Sequence, residues 1–91
     1  MHIIFEWDEA KRRSNLAKHG VDFAAMERFD WETSAASPDI RRAYGEPRLI
    51  VLGRIDGRLH VLIATLRGDR MRIISLRKAN GREERKWQAA R

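Results

Sequence analysis

The sequence predicts an α+β fold, a small antiparallel sheet with an N-terminal β-α-α unit and a C-terminal helix. Three observations predict it. Capped helical patterns fill the first third, alternating apolar runs around an Asp-Gly pair fill the second half, and a capped, charged segment closes the chain. Ninety-one residues, 43% of them hydrophobic, can build one modest core, so a single domain over residues 1–91 is expected. There is no cysteine, and His2, His19 and His60 are scattered without metal-ligand spacing. No run approaches the roughly 20 apolar residues of a membrane span, and the N-terminus lacks a signal peptide's apolar core. The chain is therefore expected in the cytoplasm, with no membrane contact and no cofactor.

Each element has its own signal. Ile3, Ile4 and Phe5 suit a first strand. Asp8 stands where an N-cap belongs, and Asp8 to His19 reads as a helix of alanine and long straight side chains. Gly20 supplies a left-handed end, and Lys18 and His19 lie in the last turn, where cations suit the helix dipole. Asp22 caps a second helix whose Phe23, Met26 and Phe29 form an apolar stripe, read as core. Thr33 to Pro47 is weakly patterned and holds at most one poorly marked strand. Arg48 to Ile55 and Arg58 to Arg67 flank Asp56-Gly57, a strong two-residue hairpin signal. Arg70 to Arg77 follows a turn at Gly68-Asp69. Asn80 with Glu83 forms a capping-box pattern for a last helix to about Arg91, although Gly81 in its first turn weakens it.

The net charge of +6 is unevenly placed. Residues 1–45 carry 7 Lys/Arg against 8 Asp/Glu, whereas residues 46–91 carry 12 against 5. Ten of those twelve cations are arginine, which forks onto phosphate oxygens and stacks on bases as lysine does not. Such one-sided charge is the footprint of a phosphate-backbone binder, and points to nucleic acid.

Hairpin geometry places the arginines. With Asp56-Gly57 as the loop, Ile55 faces Arg58, Ile50 lies opposite Ile63, and Arg48 opposite Thr65. Alternation then puts Arg48, Ile50, Leu52 and Arg54 on one face with Val61, Ile63, Thr65 and Arg67. The other face, with Leu49, Val51, Leu62, Ala64 and Leu66, is more purely apolar and suits the helices. The next turn leaves two outcomes. If Gly68-Asp69 is the whole loop, Arg70 and Arg72 join the arginine face. If the loop is one residue longer, Ser75 and Arg77 join it instead. Either outcome makes a phosphate cradle, and the bland alternative is solvated strand-end cations. Glu46 can serve there as a proton acceptor or as an ion-pair partner that orients an arginine. A lone His60 among strand residues is ordinarily structural, and Trp87 reads as a packing anchor or, more sharply, a base-stacking ring.

These residues carry a family resemblance. Phe5-Glu-Trp-Asp8, Lys11, Asn15 and Lys18-His-Gly-Val21 resemble the opening of the BrnT toxins. Gly45-Glu-Pro-Arg48, Gly53, Asp56-Gly57-Arg58, Thr65-Leu-Arg-Gly68, Arg72-Ile-Ile-Ser-Leu-Arg-Lys-Ala79 and Glu83-Glu-Arg85 continue it in order, over nearly the whole chain. The resemblance implies a RelE-like fold and a type II toxin that cleaves RNA. It also implies a ribbon-helix-helix antitoxin, BrnA-like, which neutralises the toxin and represses the operon with it, so operator DNA is met through the antitoxin. Because a ribbon-helix-helix protein is a dimer, a 2:2 heterotetramer is expected. The chain departs from the family in the last helix, where Trp87 stands in place of the usual tyrosine.

With neither cysteine nor a ligand cluster in the sequence, metal-independent transesterification is the expected chemistry. The RNA 2′-hydroxyl attacks its own phosphorus, leaving a 2′,3′-cyclic phosphate and a 5′-hydroxyl. Arg67 and Arg77 are the expected catalytic cations, with Arg48, Arg70, Arg72 and Lys78 binding phosphate. Arginine is no general base near neutrality, so Glu46, His60 and Lys78 stand as candidates for proton transfer. The alternatives are a non-catalytic nucleic-acid-binding regulatory module and an interaction domain that meets an acidic protein.

Overall fold

The structure, a computed structural model, describes residues 3–90; His2 and the predicted helix end at Arg91 lie outside them. The elements are β1 (Ile4–Glu6), α1 (Glu9–His19), a 3₁₀ helix (Phe23–Arg28), β2 (Ala35–Pro38), β3 (Leu49–Ile55), β4 (Arg58–Arg67), β5 (Arg70–Lys78) and α2 (Gly81–Ala89). They form one five-stranded sheet in the order β1-β5-β4-β3-β2. Only β1 runs parallel to its neighbour, and its three residues pair with Arg70, Met71 and Arg72. The other three pairings are antiparallel. The chain is thus α+β, as expected.

The caps stand where the sequence places them. The Asp8 carboxylate accepts from the backbone N–H groups of Ala10 and Lys11, and Gly20 closes α1 at φ 72°. The segment after Asp22 is 3₁₀ rather than α-helical. Phe23, Met26 and Phe29 are each three residues apart, which aligns them on a three-residue turn, and all three are buried. In α2 the capping box is complete: Asn80 Oδ1 accepts from Glu83 N, and Glu83 Oε1 accepts from Asn80 N, both at 2.9 Å. Gly81 costs little there, because it occupies the first helical position rather than the helix interior.

The Asp56-Gly57 hairpin has both central residues at positive φ, 51° and 81°, as a type I′ turn requires. The predicted register holds within the strands, where Ile55 pairs with Arg58 and Ile50 with Ile63, but β3 starts at Leu49 and the ladder ends at Leu49–Ala64, so the expected Arg48–Thr65 pair is not formed. At the next turn only Gly68 has positive φ, 61°, and Arg67 pairs directly with Arg70. The weakly patterned stretch contributes β2, which pairs with Leu49–Leu52 of β3.

The main core lies on one face of the sheet. Val51, Ile55, Leu62, Ala64, Met71, Ile73 and Leu76 pack there against Val21, Phe23, Met26 and Phe29. Burying a side chain such as Phe23 removes it wholly from water, worth about 1.5–3 kcal/mol. Two expectations need correction. Leu66, counted with this apolar face, is 60% exposed at the hairpin end. The helices do not share that face either: α2 crosses to the arginine face, where Trp87 packs with Leu59, Val61 and Ala79. The turn end of that face is apolar and needs a cover, which a tryptophan at 7% exposure provides.

Candidate nucleic-acid interface

Because α2 covers only the Leu59 end of its face, the remainder of that face carries an open cleft. The β4–β5 register decides what stands on it. Thr65 pairs with Arg72, and Ala64 with Ile73, but Ile63 pairs with Ser75, so Ile74 is an extra residue in β5. This β-bulge reverses the strand's parity midway. Before it, Arg70 and Arg72 alternate with buried Met71 and Ile73; after it, Ser75 and Arg77 alternate with buried Leu76. Both sets therefore face the same side. The two outcomes left open by the turn are realised together, the first by a two-residue loop and the second by the bulge.

A cleft of about 380 Å³ opens on this surface. Ile50, Val61 and Ile63 form its floor, and Ile74 and Ser75 of the bulge line it. Lys18 and His19 come from the last turn of α1, Arg41 and Arg48 from the segment around the β2–β3 connection, and Arg77 from β5. Glu83 of α2 is the sole acidic residue among its described lining.

Each of the cleft's arginines is held by a neighbouring group. Arg77 Nη1 and Nη2 donate to Glu83 Oε1 and Oε2, each at 2.8 Å, a two-pronged pairing that fixes the guanidinium plane. Since Nη1 also donates to the Lys78 carbonyl at 3.3 Å, the Nε–H and one Nη2–H are left without a partner among the described residues and can meet a ligand. The hydrogen bond to Glu83 raises the Arg77 pKa further, and Arg77 in turn holds the Glu83 carboxyl below its ordinary value. Arg41 forks onto the buried Asp39 carboxylate, with both side-chain bonds at 2.8 Å, which holds Asp39 below the usual carboxylate range. Arg48 stacks over the Tyr44 ring, 4.0 Å from its centroid, and its enclosed Nε makes no hydrogen bond among the described residues. Thr65 Oγ1 donates to the Pro47 carbonyl at 2.6 Å and so pins the chain just before Arg48.

The residues expected from sequence separate into three groups. Arg48 and Arg77 line the cleft. Arg67, Arg70 and Arg72 share its face by register, nearer the β4–β5 turn. Arg67 is half exposed and pairs with Glu46, Nη2 to Oε2 at 3.1 Å, so Glu46 occupies the arginine-orienting position. His60 and Lys78 are cross-strand partners that alternate onto the far face, away from the cleft. His60 is buried, its Nδ1 is 2.7 Å from the Arg58 carbonyl, and burial lowers its pKa. Sequence reasoning passed over Lys18, His19 and Arg41. Lys18 and His19 read as cations at a helix end, and Arg41 lies in the weakly patterned stretch; the Lys18-His-Gly-Val21 motif was the one signal pointing to the first two.

Fold and cleft together define a small basic α+β protein with an anion-receptive groove between a sheet face and two helix ends. The family model for BrnT, the ribonuclease toxin of type II toxin-antitoxin systems, matches residues 7–83, and the chain belongs to that family. Membership carries ribonuclease activity at the level of the family and implies a protein antitoxin as partner. No curated protein matches the chain. Among the described residues, no helix is long and apolar enough to cross a membrane.

Proposed function

We propose that the 91 residues act as one RelE-like toxin domain in the cytoplasm, cutting RNA in this cleft with the protein's own side chains and without a metal. The 2′-hydroxyl attacks the adjacent phosphorus, the bond to the 5′-oxygen breaks, and the products carry a 2′,3′-cyclic phosphate and a 5′-hydroxyl. Arg77 and Arg48 stabilise the charge gathering on the phosphoryl oxygens, because fixed donors need no reorganisation as that charge develops. Arg41 and Lys18 hold neighbouring phosphates, and Arg67, Arg70 and Arg72 extend the track along the same face. The observation that carries this reading is the convergence of four cations and a histidine from separate segments on one groove. No group of three or more His, Asp or Glu side chains with metal-holding geometry occurs among the described residues.

A ribbon-helix-helix antitoxin dimer carrying two toxins neutralises the activity in this reading, and the complex represses its own operon through the antitoxin. An acidic, partly apolar antitoxin arm over the cleft would pair the arginines while excluding RNA. Purified protein incubated with RNA in excess chelator tests the catalytic part. Cleavage with cyclic phosphate ends is expected; activity lost to chelator and restored by a divalent metal would overturn the proposed chemistry. Salt-sensitive binding with no cutting would make the chain a binding module instead.

A further inference from the structure

The guanidinium groups of the cleft stabilise charge but cannot take a proton near neutrality. Transesterification needs a group that removes the 2′-hydroxyl proton, placed on the same surface as the arginines. Glu83 is in the cleft, but both of its oxygens are bound to Arg77. Glu46 is bound to Arg67, and His60 lies on the other face of the sheet. Among the described residues lining the groove, one further side chain, a histidine, has an ordinary pKa near neutrality.

We propose that His19 is the general base of the proposed RNA cleavage, an inference that rests on that reading of the cleft. It closes α1 at the groove's wall, on the same lining as Arg48, Ser75 and Arg77. Its imidazole takes the proton of the 2′-hydroxyl as that oxygen bonds to phosphorus. The bond from phosphorus to the 5′-oxygen then breaks, the 5′-oxygen takes a proton from water, and the imidazolium returns its own proton to solvent. Protons and electrons balance with no co-reactant.

The surroundings suit the task. The charged groups that line the cleft together with His19 are Lys18 on its own helix, Arg77 on β5, Arg41 and Arg48 on the β2–β3 side, and Glu83 on α2. Burial lowers its pKa first, with the positive charges of Lys18 and Arg77 adding to the effect. A lowered pKa favours the neutral imidazole, the form that accepts a proton. A phosphate bound at Arg48 and Arg77 would neutralise part of the cationic field, so proton uptake becomes easier when substrate is present.

The test compares the wild-type chain with His19→Ala and His19→Gln on one short RNA, and on the same oligonucleotide with a single 2′-deoxy nucleotide at the cleaved position. Circular dichroism checks the fold of both variants. The wild type is expected to cut the RNA, with a rate that falls as acid protonates the base. Both variants are expected to lose roughly a hundredfold or more in rate, and to lose that acid limb of the pH profile. Added imidazole is expected to restore part of the His19→Ala activity, which a purely structural role would not allow. The deoxy oligonucleotide should bind, stay uncut, and shift the His19 ring resonances in the wild type. A folded His19→Ala chain that cuts at the wild-type rate with the same pH profile would overturn the assignment and leave the cleft's function standing. A wild type that binds the RNA but never cuts it would overturn both.

Discussion

The side-chain amide of Asn15 bonds to both backbone groups of Leu76: Nδ2 donates to the Leu76 carbonyl at 2.7 Å, and Oδ1 accepts from the Leu76 N–H at 3.2 Å. Nδ2 also donates to the Val21 carbonyl at 3.0 Å. β1 pairs with β5 only as far as Arg72, so from there β5 has an edge without a strand partner among the described residues. Asn15 fills in for that strand, and its amide, 7% exposed, docks α1 at the height of Ser75 and Arg77. Asn15→Ala should therefore destabilise the fold by about 2–4 kcal/mol, because several buried backbone groups lose their partners at once. Asn15→Asp should also destabilise, since a carboxylate cannot donate to the two carbonyls. Urea unfolding with an unchanged m-value would check this, and a change below about 0.5 kcal/mol would contradict it.

Glu83 connects the cap of α2 to the cleft, for its Oε1 takes both the Asn80 N–H and Arg77 Nη1. Glutamine at this position keeps a capping box but removes the charge that grips the guanidinium. Glu83→Gln is expected to leave the fold intact and lower RNA cleavage roughly tenfold, about 1.4 kcal/mol of transition-state stabilisation. Arg77→Ala should abolish toxicity outright in a growing bacterial host. Arg77→Lys should not restore it fully, because a point charge cannot replace the fork. Undiminished toxicity of soluble Arg77→Ala would place the reaction elsewhere.

Gly53 is needed for the close approach of Phe29. A β-carbon there would overlap the Phe29 ring, which lies across β3 beside the Phe29–Ile55 bridge. Gly53→Ala should cost about 1–3 kcal/mol by overpacking, and Phe29→Leu added to it should recover part of the loss. The pair is close enough for non-additivity, so a double-mutant cycle in thermal unfolding is the appropriate measurement. Strict additivity would mean that the ring is not the obstacle.

Acid should weaken the fold through His60. Burial holds the folded pKa below the ordinary histidine value, which the unfolded chain regains. Between those two values the unfolded state binds more protons, so protons favour unfolding. The stabilising contribution is complete above the ordinary histidine value and is lost as pH falls through the depressed one. Unfolding free energy measured from mildly alkaline to mildly acid pH should decline in that window. In His60→Gln the decline should flatten, leaving the part due to His19, whose pKa is also lowered. An unchanged pH dependence in the variant would exclude His60 as its source.

Local chemistry made much of the molecule legible from sequence. The Asp8, Gly20, Asp22 and Asn80 caps, the Asp56-Gly57 turn and the β3–β4 register all follow from interactions within a few residues, which a sequence displays directly. The face shared by Arg48, Thr65 and Arg67 followed from that register by strand alternation alone. Charge asymmetry pointed to nucleic acid because it survives any folding of the chain.

The tertiary structure decided the rest. The bulge at Ile74 turns Arg77 onto the face already occupied by Arg72, and no residue type in β5 marks it, since it is a mismatch between two strands rather than a property of one. The crossing of α2 to the arginine face was decided by which apolar patch lacked a cover. His19 and Arg41 reach the cleft only because Asn15 docks α1 on β5, and because Asp39 N bonds to the Arg48 carbonyl at 2.8 Å beside β3. Sequence by itself therefore determined most of the elements, their caps and the sign of the surface. Which side chains converge on one groove depended on contacts between residues far apart in the chain, and those exist only once the sheet has closed its register.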